Sequence, residues 1–196
     1  MSIPEILRAI RDSSLSEYEK GAKFERLILS WLKADPVYRS QLSNVWLWRD
    51  FPAKDQFGSH DLGIDLVART RLGEYWAIQR KFYGDATVID KPAVDSFVSA
   101  SGRLYDDPFT GEKAGFSARY WVSTSDTFNA NALETIRNQD PPIIRLTLEH
   151  MAKAAVDWDA IYKGEDGRKA PKNRFPIRKL PAKKLMSISS SMIAEN

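Results

Sequence analysis

Phe24, Leu27, Ile28, Trp31 and Leu32 recur at the i, i+3, i+4, i+7, i+8 spacing of one helical face, which predicts a helix over residues 16–34 with that face buried. Ser16 followed by Glu19 has the form of a capping box at its start. Asp35-Pro36 ends it, because the residue before a proline is pushed out of helical geometry. Residues 45–51, rich in Val, Trp and Phe, read as a strand. Upstream, the apolar stretch of MSIPEILRAIRDSS is interrupted by Glu5, Arg8 and Arg11, unlike a secretory leader with its small-residue cleavage site.

Residues 63–70 and 74–83 alternate with period two on either side of Arg71-Leu72-Gly73 and predict an antiparallel hairpin. Asp90-Lys91-Pro92 opens a second helix, with Val94, Phe97 and Val98 as its apolar face and its end near Gly102. Residues 103–115 read as a polar loop. Next come a strand (118–124), a helix (129–138), a strand (143–148) and a helix (149–162). This alternation predicts an α/β fold with a mixed central sheet, partly parallel, flanked by helices. From Lys163 onward Gly, Pro and basic residues dominate, so the expected division is a folded domain over residues 1–163 and a basic linker or tail over 164–196. Asp140-Pro141-Pro142-Ile143 reads as a turn into the following strand, since it lacks the aromatic fourth residue of an amino-methyltransferase tetrapeptide. Trp46, Trp48, Trp76 and Trp121, placed on strands, read as core residues rather than base-stacking platforms.

Composition narrows the chemistry. A chain of 196 residues suits one compact domain, and no run of about 18 apolar residues exists to cross a bilayer, so a soluble, cytoplasmic protein is expected. With no cysteine there is neither a disulfide framework nor a thiolate zinc site. His60 and His150 are the only imidazoles, so any metal is expected to be held by oxygen. The GxxxxGK[ST] phosphate loop is absent, and ATP hydrolysis is not expected of this chain. The net charge of +3 is uneven: residues 1–150 sum to −2 and residues 151–196 to +5, with eight basic residues and no acid from Arg168 to Lys184. A solvated linker has such a composition, and so does a segment that gains affinity for phosphates by counterion release. Lys169, Lys172, Arg174, Arg178 and Lys179 are the expected DNA contacts on the second reading.

The hairpin carries the candidate chemistry. Period-two geometry puts Gln79 and Lys81 on one face of their strand and Trp76, Ile78 and Arg80 on the other. With the turn centred on Leu72, Asp65 falls opposite Gln79, and opposed side chains of such a pair are about 5 Å apart. A one-residue slip would turn Asp65 away. Phosphodiester hydrolysis needs charge neutralisation at the phosphate and a water delivered in line. An Mg²⁺ held by Asp65 answers the first need, Gln79 offers the ion a neutral oxygen, and Lys81 positions or helps deprotonate the water. One carboxylate is a thin cage, so a second acid is expected: Glu25, at the edge of the first helix's buried face, or else Asp61. His60, beside Asp61, reads as a solvated loop residue.

Gly21-x-x-Phe24-Glu25 on a helix, Asp61-x-Gly63-Ile64-Asp65 on a strand and Gln79-x-Lys81 on the next strand resemble the Mrr-type branch of the PD-(D/E)xK nucleases, over roughly residues 16–125. Each fragment alone is uninformative; their order on helix, strand and strand is the signal. Gln79 departs from the superfamily's usual Asp or Glu, but that branch is known for Gln there. The resemblance implies a restriction-endonuclease-like core, with Asp65 as metal-binding acid, Gln79 in the acidic position, Lys81 as catalytic lysine and Glu25 as supporting acid. It further implies an Mg²⁺-dependent endonuclease acting on double-stranded DNA in phage defence, with specificity supplied by other domains. Helicase or translocase and methyltransferase portions of one longer restriction enzyme, as in single-chain type I enzymes, would be its partners, the basic tail leading into them. A non-catalytic DNA-binding module of the same fold, or a nuclease of branched DNA or RNA, are the alternatives.

Overall fold

The computed structural model describes residues 1–58, 63–84 and 86–169. Its helices are α1 (Ile3–Ser13), α2 (Glu17–Ala34), α3 (Pro36–Gln41), α4 (Lys91–Ser101), α5 (Ala130–Arg137), α6 (Leu148–Lys153) and α7 (Trp158–Tyr162). Its strands are β1 (Leu42–Leu47), β2 (Leu66–Thr70), β3 (Tyr75–Lys81), β4 (Tyr105–Asp106), β5 (Lys113–Ala114), β6 (Phe116–Ser123) and β7 (Ile143–Leu146). Five of these form one sheet in the order β1-β2-β3-β6-β7. β1, β2 and β3 are antiparallel neighbours, whereas β3-β6 and β6-β7 are parallel, the long β3-to-β6 connection being what lets the chain return in the same direction. The mixed α/β sheet is therefore as the alternation of patterns implied.

Helix α2 forms where the periodicity placed it. Ser16 Oγ accepts the Glu19 N–H, and the Glu19 carboxylate accepts the Leu15 N–H, one residue before the expected reciprocal partner. Asp35 does more than stop the helix: buried, it accepts Val37 N–H as the cap of α3, a short helix that the hydrophobic pattern does not announce. Trp31 on the buried face meets Tyr38 edge-on at 5.3 Å and Trp158 at 5.9 Å, tying α2 to α3 and α7. Full burial of a side chain of this class contributes roughly 2–3 kcal/mol.

Several expectations are corrected. Residues 3–13 form a helix whose Ile3, Ile6, Leu7 and Ile10 are buried; Glu5, Arg8 and Arg11 lie on its polar face rather than interrupting it. The strand expected over 45–51 runs from Leu42 to Leu47 and then tightens into a 3₁₀ turn, Trp48–Asp50. Residues 103–115 are not merely a loop: β4 and β5 pair, and Tyr105 and Asp107 are buried, the Asp107 carboxylate accepting the Tyr75 hydroxyl. The last helix is split: α6 ends at Lys153 with Ala154 extended, and Val156 bridges Arg168 before α7 begins. Of the four tryptophans, Trp76 and Trp121 are core and Trp46 and Trp48 half-buried.

The sheet has a core on each face. Trp76 and Ile78 of β3 pack with α1, α2, α6 and α7 on one side; Tyr75 and Ala77 pack with α4, α5 and the β4-β5 hairpin on the other. Gln79 and Lys81 continue the second row and Arg80 the first. The carboxyl-terminal end of β3 thus receives groups from both layers.

Candidate active site at the end of the central hairpin

The β2-β3 register pairs Leu66 with Ile78, Val67 with Ala77, Ala68 with Trp76 and Arg69 with Tyr75. One step outward stand Asp65 and Gln79, and their side chains meet: Gln79 Nε2 donates to Asp65 Oδ2 at 2.8 Å. The same oxygen accepts the Arg80 N–H at 2.7 Å, and Asp65 is anchored on its other side by its own carbonyl, which accepts the Trp48 N–H. Gln79 is buried, and its amide nitrogen also reaches the Arg80 carbonyl at 3.2 Å. Gly63 explains why that amide fits. With φ at +74° it occupies a conformation favouring glycine, and a Cβ there would stand 3.0 Å from Gln79 Oε1.

Glu25 approaches from α2, on the opposite layer. Arg80 connects it to Asp65: the Arg80 Nη2 donates to Glu25 Oε2 at 3.1 Å, while its Nε lies 3.5 Å from Asp65 Oδ1 without hydrogen-bond geometry. Arg49, more exposed, adds a longer contact to Glu25 at 3.8 Å. Sequence reasoning missed Arg80, placing it only on the far face. The signal available was a long cation between two residues of interest, together with a glycine four positions before Glu25.

Lys81 sits half-buried on the Gln79 side, and its ammonium makes no hydrogen bond or ion pair among the described residues. Its backbone is fixed from the residue just after β6: Thr124 N–H donates to the Lys81 carbonyl, and Thr124 Oγ1 both accepts from Tyr83 N–H and donates to the Tyr83 carbonyl. Thr124 is a second contributor that sequence reading did not single out. The Asp65 carboxyl is pushed up to about 6: burial outweighs the opposing Arg80 charge, the Arg80 N–H and the Lys81 charge, with Glu25 adding to the rise.

Among the described residues no three carboxylates or imidazoles gather as a metal cage. The chemistry of the groups nevertheless fits a hard cation: the Asp65 carboxylate, the Gln79 amide and the Arg80 main-chain carbonyl meet at one place, with the Glu25 carboxylate beyond the Arg80 guanidinium. One proton-bearing nitrogen, Gln79 Nε2, fills the point where Asp65 Oδ2 and the Arg80 carbonyl converge. Two acceptors aimed at one position is an arrangement a divalent ion suits. Asp61 and His60 lie outside the described residues, as do Lys172, Arg174, Arg178 and Lys179; Lys169 is described and exposed.

A family model described as "Restriction endonuclease" matches residues 33–168, which include Asp65, Gln79 and Lys81 but not Glu25. The ATP-dependent Type ISP restriction-modification enzyme LlaBIII, solved bound to DNA, superposes with a TM-score of 0.61 and 29% identity over 81% of this chain. That stretch is 9% of the LlaBIII chain. The DNA modification-dependent restriction endonuclease AspBHI (18% identity, TM-score 0.44) and the MspJI restriction endonuclease in complex with a 27-mer oligonucleotide (15%, 0.39) also align. They cover 84% and 74% of this chain and correspond to 36% and 28% of their own. No curated protein matches.

Proposed function

Because the chain belongs to the Mrr-type restriction endonuclease family, we propose that Asp65, Gln79, Lys81 and Glu25 are its working site and that this site hydrolyses double-stranded DNA with Mg²⁺. The observation that carries the reading is the convergence of Asp65 Oδ2 and the Arg80 carbonyl on one point now filled by Gln79 Nε2. When bound there, Mg²⁺ would supply charge neutralisation at the scissile phosphate.

The residues divide the remaining work. Asp65 Oδ2 and the Arg80 carbonyl would hold the ion, joined by the Gln79 oxygen once that amide turns from Gly63 and its Nε2 leaves the point, with Glu25 as supporting acid. Lys81, on the Gln79 face and uncommitted among the described residues, would face the phosphate and hold the attacking water by its Nζ. Thr124, itself bonded to Tyr83, keeps the Lys81 main chain in place, so the root of its side chain stays fixed beside Gln79.

The domain corresponds to a small part of the LlaBIII chain. By analogy with that multidomain enzyme, we take sequence specificity to come from other parts of a longer protein, with translocase and methyltransferase portions. Among the described residues no helix is long and apolar enough to cross a membrane, in keeping with a cytoplasmic site of action. Incubation with supercoiled plasmid, a four-way junction and structured RNA, each with Mg²⁺ or with EDTA, tests the proposal. Mg²⁺-dependent nicking or linearisation of the plasmid is expected. Cleavage confined to the junction or the RNA would replace the substrate assignment, and none on any substrate would overturn the catalytic one.

A further inference from the structure

Gly21 lies inside α2, where glycine costs about 0.5–1 kcal/mol relative to alanine, and no positive φ requires it. What occupies its missing side chain is Arg80: a Cβ on Gly21 would stand 2.8 Å from Arg80 Nη1. The guanidinium therefore lies close against the helix backbone, with Nη2 on Glu25 and Nε beside Asp65. Its side chain is only 21% exposed, and the two carboxylates are 14% and 18% exposed. A cation is thus built into the place where two largely buried acids must be held apart from water and from each other.

We propose that Arg80 is the resident counter-ion of this site, a positioning residue that keeps Glu25 and Asp65 in place and opposes the entry of a divalent cation into the free protein. The inference rests on the metal-binding reading of Asp65 and Glu25. Without a positive group between them, the two carboxylates repel; with Arg80 there, a doubly charged ion must approach a guanidinium a few ångströms away. Even at the dielectric of water, repulsion between a unit and a double charge lowers affinity by about thirtyfold at about 4 Å and by about tenfold at about 6 Å. Gly21 makes the arrangement possible, because a larger residue would push the guanidinium off the helix.

The test is calorimetric titration of Mn²⁺ into DNA-free protein, alongside thermal melts and plasmid cleavage. Arg80→Gln is expected to bind Mn²⁺ at least about tenfold more tightly than wild type, and Arg80→Lys, which keeps the charge, to stay within about threefold. Gly21→Ala, whose gain in helix propensity is offset by the displaced guanidinium, is expected to shift Mn²⁺ affinity in the same direction as Arg80→Gln with little change in melting temperature. An Arg80 that only held the fold together would lower the melting temperature without tightening Mn²⁺ binding. Unchanged or weaker Mn²⁺ binding in a folded Arg80→Gln protein overturns the proposal, as does Arg80→Lys binding as tightly as Arg80→Gln. If Arg80→Gln does not fold, Gly21→Ala decides alone: unchanged affinity overturns it. Should wild type cleave plasmid with Mg²⁺ while these affinities fail to move, only the role of Arg80 falls; if wild type neither cleaves nor binds Mn²⁺, the metal-binding reading fails first.

Discussion

Gln79 Nε2 lies 2.8 Å from Asp65 Oδ2, on the side of the sheet away from α2, and this pair is what brings the two strands of the hairpin to a common chemistry. It follows from the register: every paired position from Arg69-Tyr75 to Leu66-Ile78 leads outward to Asp65 and Gln79.

Asp65→Ala and Lys81→Ala are each expected to lower plasmid cleavage by at least about 10²-fold, the range in which a positioned acid, base or ion ligand acts. Both side chains sit at the end of the sheet rather than in either core cluster, so circular dichroism and DNA affinity should stay near wild type. Cleavage at the wild-type rate by Asp65→Ala would remove it from the mechanism.

The raised carboxyl of Asp65 gives a stability prediction with a definite sign. An acid whose pKa is higher folded than unfolded stabilises the fold fully below its unfolded value of 3.8, and loses that contribution as pH rises through about 6. A shift of this size corresponds to an upper bound of about 3 kcal/mol. In EDTA, Asp65→Asn should therefore be more stable than wild type at pH 8 by on the order of 1–3 kcal/mol, with the difference shrinking towards zero near pH 4. Chemical denaturation at the two pH values measures it. An equal difference at both would mean that the carboxylate charge is not what costs stability.

How much of the fold and the site is legible in the sequence differs by residue. The hairpin, its register and the shared face of Gln79 and Lys81 follow from period-two alternation and the position of the turn, because one slip would expose an entire apolar row. Helix α1 is equally legible, with Ser2, Glu5 and the spacing of Ile3, Ile6, Leu7 and Ile10, yet its charges distract from the apolar face they flank. The role of Arg80 is not legible. Which layer packs over a strand end depends on the sheet order, and only that order brings Gly21 and Glu25 of α2 to the Arg80 side chain. The break after Lys153 is hidden for the same reason, since Arg168, which Val156 bridges there, lies beyond the helix.

Gln79→Glu separates the structural part of this residue from the metal-binding part proposed for it. Without metal, the variant places a carboxylate where an amide N–H now satisfies Asp65, in a buried position, at a cost of roughly 1–3 kcal/mol. Adding Mg²⁺ should restore most of that loss, because the added charge now strengthens the cage. The check is a pair of denaturation curves in EDTA and in Mg²⁺. A variant equally destabilised in both would make Gln79 a core hydrogen-bonding residue and nothing more.

Beyond Lys163 the described chain stays attached to the domain: Glu165 N–H donates to the Ala160 carbonyl, Asp157 N–H to that of Gly167, and Val156 bridges Arg168. Gly167 is pressed so closely on α7 that a Cβ there would clash with the Ile161 side chain. We therefore expect truncation after Lys169 to leave the melting temperature nearly unchanged, and truncation after Lys163 to lower it by several degrees, since a deficit of about 1–2 kcal/mol shifts a domain of this size by roughly 2–4 °C per kcal/mol. Removing residues 170–196 takes away Lys172, Arg174, Arg178 and Lys179 with Lys183 and Lys184, six cations in all. If these meet phosphates, DNA binding should weaken for every sequence alike, and the slope of log affinity against log salt should flatten by up to about 0.9 for each phosphate no longer neutralised. Cleavage chemistry should survive, because Asp65, Gln79, Lys81 and Glu25 all remain. An unchanged salt slope would assign the charge to solubility. Equal stability of the two truncations would put the end of the folded unit back at Lys163.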